Sequence, residues 1–201
     1  MSPWIAEVRR ALQARPAVEV QRSGLAHAAV ALVIEPGGEL LFIERAERAG
    51  DPWSGHVAFP GGRREPSDRD LLHTALRETE EEVGLRLEPG GLLGALDDLP
   101  AMGPRRGGRE LVIRPYVFAA ATRPTLSPNG EVAAVRWWPM ARLVAHEGRG
   151  VRPWVWGGQP IELPKVDLGG AELWGLSLRM VDELLERMGR PPPHRALRPI
   201  G

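Results

Sequence analysis

Residues 61 to 84 constrain this chain more than any other stretch: a glycine pair, Gly61-Gly62, is followed within 24 residues by Arg77-Glu78-Thr79-Glu80-Glu81-Glu82-Val83-Gly84. The glycines follow Phe59-Pro60 and read as a turn that accepts positive φ and lets backbone approach a ligand closely. The second run reads as a helix over roughly residues 69 to 83. Ser67 and Asp68 are suitable N-caps, Ser67 to Asp70 resembles a capping box, and Gly84 is placed to end the helix in a left-handed conformation. At about 100° per residue, Leu72, Leu76, Thr79 and Val83 share one stripe, whereas Glu78, Glu81 and Glu82 fall in a separate arc. Carboxylates three and four residues apart repel one another, so the arc calls for a positive partner. Hard oxygen donors without cysteine or clustered histidine favour Mg²⁺ or Mn²⁺. Arg77, one turn before Glu81, is placed to fix a carboxylate rotamer. Taken alone, three glutamates near a helix end read better as a solvated face; the preceding Phe59-Pro60-Gly61-Gly62 turn reverses that reading toward a phosphate-chemistry site.

These residues resemble the Nudix hydrolase box: a glycine, five residues, Glu, seven residues, Arg-Glu, two residues, Glu-Glu, one residue and Gly. From Arg77 through Gly84 to Leu85 the match is complete. Counting from Gly62, the first Glu of the pattern falls on Asp68, and eight residues rather than seven then precede Arg77. Leu40-Leu41-Phe42-Ile43-Glu44-Arg45-Ala46, followed by Gly55-His56-Val57-Ala58-Phe59-Pro60-Gly61-Gly62, is similar to the additional motif of the coenzyme A diphosphatase branch. Phe42 stands where that motif has Thr, the spacer from Arg45 to Gly55 is one residue longer, and Asp51 to Ser54 replaces part of it.

The resemblance implies an α/β/α sandwich with a mixed β-sheet and hydrolysis of a nucleoside diphosphate linked to another group. It implies Mg²⁺ or Mn²⁺ on Glu78, Glu81 and Glu82, with Glu81 or Glu131 as general base and Arg77 in the catalytic set. Arg45, Gly61 and Gly62 are then expected to contact substrate. In the coenzyme A branch the products are 4′-phosphopantetheine and adenosine 3′,5′-bisphosphate. ADP-ribose, NADH and dinucleoside polyphosphates are alternatives, since the box encodes diphosphate chemistry while other loops choose the appended group. A non-catalytic nucleotide-binding module is the alternative from another class.

Composition supports a soluble enzyme without selecting one; the nucleotide-derived small-molecule substrate is what the resemblance implies. Net charge is zero and the pI is near 7, so neither nucleic acid nor an anionic membrane is advertised. The absence of cysteine excludes disulfides and thiolate sites. No apolar run has the length of a signal peptide core or a membrane span, which makes the cytoplasm the expected compartment. A homodimer is left open. Neither a Gly-x-Ser-x-Gly elbow nor a Walker phosphate loop occurs.

One domain is expected over residues 1 to 190, with a flexible tail over 191 to 201. Trp4, Ile5, Val8 and Leu12 predict a helix over 3 to 14, closed before Pro16. Strands are expected at Ala26 to Ile34, Glu39 to Ala46, Leu92 to Leu96, Leu111 to Ala121 and Val132 to Trp138. Short and long helices should follow at Ala141 to Ala145 and from Leu173 to about Met188. The loop Pro104 to Arg109 carries Arg105 and Arg106, which could clamp phosphates or simply be solvated. Trp137, Trp138 and Trp174 read as core or its margins, His56 as a site-wall or structural residue, and Trp53 as a possible adenine-stacking residue.

Overall fold

The computed structural model describes residues 2–20, 24–48, 54–101, 110–193 and 198–199. The first helix, α1 (Pro3–Ala14), opens on a proline suited to the first helical turn and buries Ile5, Val8 and Leu12 on one stripe. A hairpin follows, β1 (Ala26–Ile34) and β2 (Glu39–Arg45). Two short strands, β3 (Val57–Ala58) and β4 (Gly61–Arg63), lead into α2 (Leu71–Val83). Beyond a 3₁₀ turn at Pro89–Gly91 come β5 (Leu92–Ala95), β6 (Leu99–Ala101), β7 (Leu111–Ala119), β8 (Val132–Pro139) and α3 (Met140–Val144). The described chain continues through β9 (Arg149–Trp156), β10 (Gln159–Asp167), β11 (Glu172–Trp174), α4 (Gly175–Arg187) and β12 (Arg198–Pro199).

The main sheet is mixed. β1 runs parallel to β7 from Ala26↔Leu111 to Ile34↔Ala119, and antiparallel to β4 through Ala28↔Arg63, Ala29↔Gly62 and Val30↔Gly61. β2 pairs antiparallel with β8 and, at its end, with β3. Because successive side chains point to opposite faces, β1 feeds two cores. Leu32 and Ile34 join Ile5, Val8, Phe42, Leu178 and Leu184 on the α1/α4 side. Ala31 and Val33 join Leu41, Ile43, Ala75 and Val83 on the α2 side. The result is the expected α/β/α sandwich. Within the first core, Phe42 and Phe59 stack at 4.9 Å. Full burial of a side chain such as Phe42 contributes about 1.5–3 kcal/mol.

Several expectations are corrected. Helix α2 begins at Leu71, and its N-cap is Asp70, whose carboxylate accepts from the His73 amide at 2.7 Å. Ser67 and Asp68 do not cap it. Gly84 ends the helix in the left-handed region at φ 68° and donates to the Glu80 carbonyl. β9 and β10, which form a long hairpin, were not expected: Pro153, Pro160 and Pro164 break the usual strand pattern, and Gly157-Gly158 reads as loop. The pair supplies positive φ values of 58° and 82° at the hairpin turn. Trp174 belongs to β11, with α4 starting one residue later. Within the segment expected as a tail, Arg198–Pro199 pairs antiparallel with Glu162 and Ile161 of β10. No helix among the described residues is long and apolar enough to cross a membrane.

Candidate functional site

The site is built where β4 lies against β1 and α2 closes over both. A Cβ on Gly61 would stand 2.3 Å from the Ala29 carbonyl oxygen and 2.6 Å from Val30 Cα, and the residue sits at φ 153°. Glycine is therefore required for β4 to pair with β1 here. At Gly62 a Cβ would come within 2.4 Å of the Glu78 carboxyl carbon. The missing side chain is the space that Glu78 occupies.

The three helix carboxylates do not form one exposed arc. Glu82 is only 3% exposed and faces inward with Ala75, Thr79 and Val83. Its Oε2 accepts from the Gly61 amide at 2.9 Å. Burial pushes the Glu82 carboxyl up to about 7, against the opposing effect of the Gly61 hydrogen bond. Neighbouring Glu78 and Glu131 raise it further, and Arg45 lowers it. Glu78 is also raised, by burial, with Arg77 pulling the other way. Glu81, by contrast, has a side chain 55% exposed and is held by Arg77 at 3.0 Å.

Arg77 organises the outer side of this helix. Its Nε and Nη2 donate to the two oxygens of Asp68, each at 3.0 Å, and Nη2 also donates to the Arg63 carbonyl at 3.2 Å. Its Nη1 reaches Glu78 and Glu81, both at 3.0 Å. Asp68 is 2% exposed and accepts in addition from the Glu65 amide, the Thr74 hydroxyl and the His73 ring. Arg77 holds the Asp68 carboxyl well below the usual carboxylate range. Asp68 thus stands ahead of the helix and meets Arg77 across the eight residues between them.

Arg45 and Glu131 approach the same inner region from β2 and the start of β8. A register shift between Glu44 and Arg45 places Arg45 opposite Val132, and the Ala46 amide donates to the Glu131 carbonyl at 2.8 Å. The Glu131 side chain is 48% exposed and pairs with Arg48 at 3.0 Å. Glu44 is engaged by Arg136. Arg105, Arg106 and Trp53 lie outside the described residues. Two features escaped the sequence: the burial of Glu82, because a glutamate is counted as polar wherever it stands, and the Arg48–Glu131 pair, which joins two loops distant in sequence. A surface pocket of about 350 Å³ lined by His73, Leu76, Arg77, Glu80, Glu81 and Leu87 lies on the outer face of α2 and touches the site only through Arg77 and Glu81.

Among the described residues no three His, Cys, Asp or Glu side chains are gathered so as to enclose a metal ion by themselves. The donor set nevertheless fits Mg²⁺ or Mn²⁺, which bind through one or two carboxylates with waters and substrate phosphates completing the shell. Glu78 and Glu82 provide such a pair: burial raises both carboxyls, with Arg77 opposing on Glu78 and the Gly61 amide opposing on Glu82.

Fold and site together define an α/β/α sandwich whose acidic helix closes on a glycine strand. Residues 24–155 match the NUDIX domain model, and the chain belongs to the Nudix family. It is 39% identical over 111 residues to an uncharacterized protein of Schizosaccharomyces pombe, covering 54% of this chain and 34% of that protein. It is 33% identical over 150 residues to the human mitochondrial coenzyme A diphosphatase NUDT8, covering 73% of this chain and 61% of that protein. For the mouse mitochondrial coenzyme A diphosphatase NUDT8 the identity is 31% over 156 residues, 76% of this chain and 71% of that protein. The matches thus span about a third of the yeast relative's length and under two thirds of the human one's. Nudix hydrolases generally use divalent metals and nucleotide-derived small molecules.

Proposed function

We propose that this protein is a metal-dependent diphosphatase that cleaves coenzyme A or its thioesters to 4′-phosphopantetheine and adenosine 3′,5′-bisphosphate. The observation that carries the hydrolase reading is the inward-facing Glu82, held by the Gly61 amide at 2.9 Å beside Glu78 in the space left by Gly62. The coenzyme A preference is supported by the Leu40 to Ala46 and Gly55 to Gly62 segments and by the likeness to the two mammalian coenzyme A diphosphatases.

In this reading Glu78 and Glu82, with Glu81, hold Mg²⁺ or Mn²⁺. The bound cation would neutralise the diphosphate and lower the pKa of an attacking water. Arg77 sets the rotamers of Glu78 and Glu81 from its anchor on Asp68. Glu81 or Glu131, both exposed carboxylates held by an arginine, takes the proton of the water. Gly61 and Gly62 let phosphate oxygens come close to the backbone, and Arg45 adds positive charge on the same side. Arg105 and Arg106 are assigned to substrate phosphates on sequence grounds alone.

The test is a product assay by mass spectrometry, with coenzyme A, acetyl-coenzyme A, ADP-ribose, NADH and diadenosine polyphosphates at equal concentration in Mg²⁺ or Mn²⁺. Highest kcat/KM on the coenzyme A compounds supports the substrate reading. Preference for another diphosphate, toward which Phe42 and the altered 51 to 54 segment point, keeps the chemistry and discards the substrate. Binding without turnover favours the nucleotide-binding module.

A further inference from the structure

The β9–β11 sheet presents one face that the hydrolytic chemistry does not use. Residues directly opposite one another on neighbouring strands share a face, and the register places Arg152, Trp154, Lys165 and Trp174 together. The Trp154 and Trp174 rings lie 5.1 Å apart. Arg152 covers Trp174, its guanidinium carbon 4.1 Å from the ring centroid, and lies 5.8 Å from Trp154. Glu172 accepts from Arg152 at 3.2 Å and pairs with Lys165, and Asp167, opposite Glu172 on the same face, adds a second negative charge near Lys165. The buried Nε of Arg152 has no hydrogen-bond partner among the described residues. Trp154 is 38% exposed.

This face adjoins the carboxylate site through β3. The His56 ring meets Trp174 edge-on at 4.6 Å, and the His56 carbonyl accepts from the Arg45 amide at 3.0 Å. The chain then runs through Val57, Ala58, Phe59 and Pro60 directly into Gly61. An aromatic surface that carries Arg152 and Lys165 and is joined through β3 to the strand of Gly61 suits a ligand that is both planar and anionic. We propose that Trp154, with Arg152 and Lys165, forms a shelf on which the nucleobase of the substrate stacks while the cations meet phosphate on the same nucleotide. The shelf deepens the diphosphatase reading and rests on it for its place in the reaction. Trp154 and Arg152 are specificity residues here, remote from the reacting atoms.

Metal-free calorimetric titration of the full chain with AMP and with ribose 5-phosphate separates stacking from phosphate binding. AMP is expected to bind at least about tenfold more tightly, because stacking on an aromatic side chain is sequence-tolerant and strong. Trp154→Ala should weaken AMP by about tenfold and leave ribose 5-phosphate unaltered, whereas Trp154→Phe should keep most of the affinity. In turnover, Trp154→Ala should raise KM for coenzyme A more than it lowers kcat. No AMP binding, equal affinity for the two probes, or wild-type AMP affinity in a Trp154→Ala variant of unchanged Tm would overturn the shelf. Trp154-dependent AMP binding without turnover of any diphosphate would instead sink the hydrolase reading and leave the shelf standing.

Discussion

The Gly61 amide donates to Glu82 Oε2 across 2.9 Å, joining the strand that lies on β1 to the helix that carries the acidic residues. Glu82→Gln keeps an acceptor oxygen for that amide and removes a buried charge, so its Tm should equal or exceed that of the wild type. Glu82→Ala leaves the amide unsatisfied and should cost about 1–3 kcal/mol. Thermal melts of both variants check the pair; equal losses would contradict the assigned role of the hydrogen bond.

Adjacent glycines should respond differently to alanine. At Gly61 the new Cβ meets backbone of Ala29 and Val30 within 2.6 Å, which cannot yield locally, so Gly61→Ala should destabilise by about 2 kcal/mol. At Gly62 the atoms nearest to a new Cβ are those of the Glu78 carboxylate, the far end of a flexible side chain. Stability should change by less than about 1 kcal/mol, while turnover falls about tenfold from displacement of a carboxylate. Urea unfolding beside kcat measurements separates the two outcomes.

Asp68 is buried and held below its ordinary pKa by Arg77. A carboxylate depressed in the folded state stabilises the fold above its unfolded pKa, about 3.9, and that contribution fades as pH falls through the folded value. Asp68→Asn should therefore cost about 3 kcal/mol at neutral pH, with the gap to wild type narrowing below about pH 4. A gap constant from pH 7 to pH 3 would show that the charge of Asp68 is not what stabilises.

Arg77→Lys replaces a fork that spans Asp68, Glu78 and Glu81 with a single point charge. The variant should fold and lose about tenfold or more in kcat, because Glu78 and Glu81 lose their common anchor. Unchanged kcat would mean that Arg77 is structural only.

Much of the architecture is legible because local and tertiary demands coincide. The helical stripe of Ile5, Val8 and Leu12 predicts α1, and Gly84 predicts the end of α2. The near-continuous apolar run of β1 reads as a strand because both its faces meet a core. Capping at Asp70 was missed because Asp68, an equally good cap by type, is drawn into the interior by Arg77, Thr74 and the Glu65 amide. The β9–β10 hairpin was missed because Pro153 in β9 and Pro160 and Pro164 in β10 count against strands, and its glycines look like ordinary loop. At the site, the spacing of Glu78, Glu81 and Glu82 was legible, but their unequal burial was not. Helical angle alone places Glu82 with its neighbours; only the docking of β4 turns it inward.

The most direct test of the central claim compares wild type with Glu82→Gln, each assayed with Mg²⁺ and with chelator, for release of adenosine 3′,5′-bisphosphate from coenzyme A. Metal-dependent release by the wild type, reduced by about 100-fold or more in a folded Glu82→Gln, is the expected result. Release that persists with chelator, or near-normal turnover in Glu82→Gln, would contradict the assignment of Glu82 to the metal.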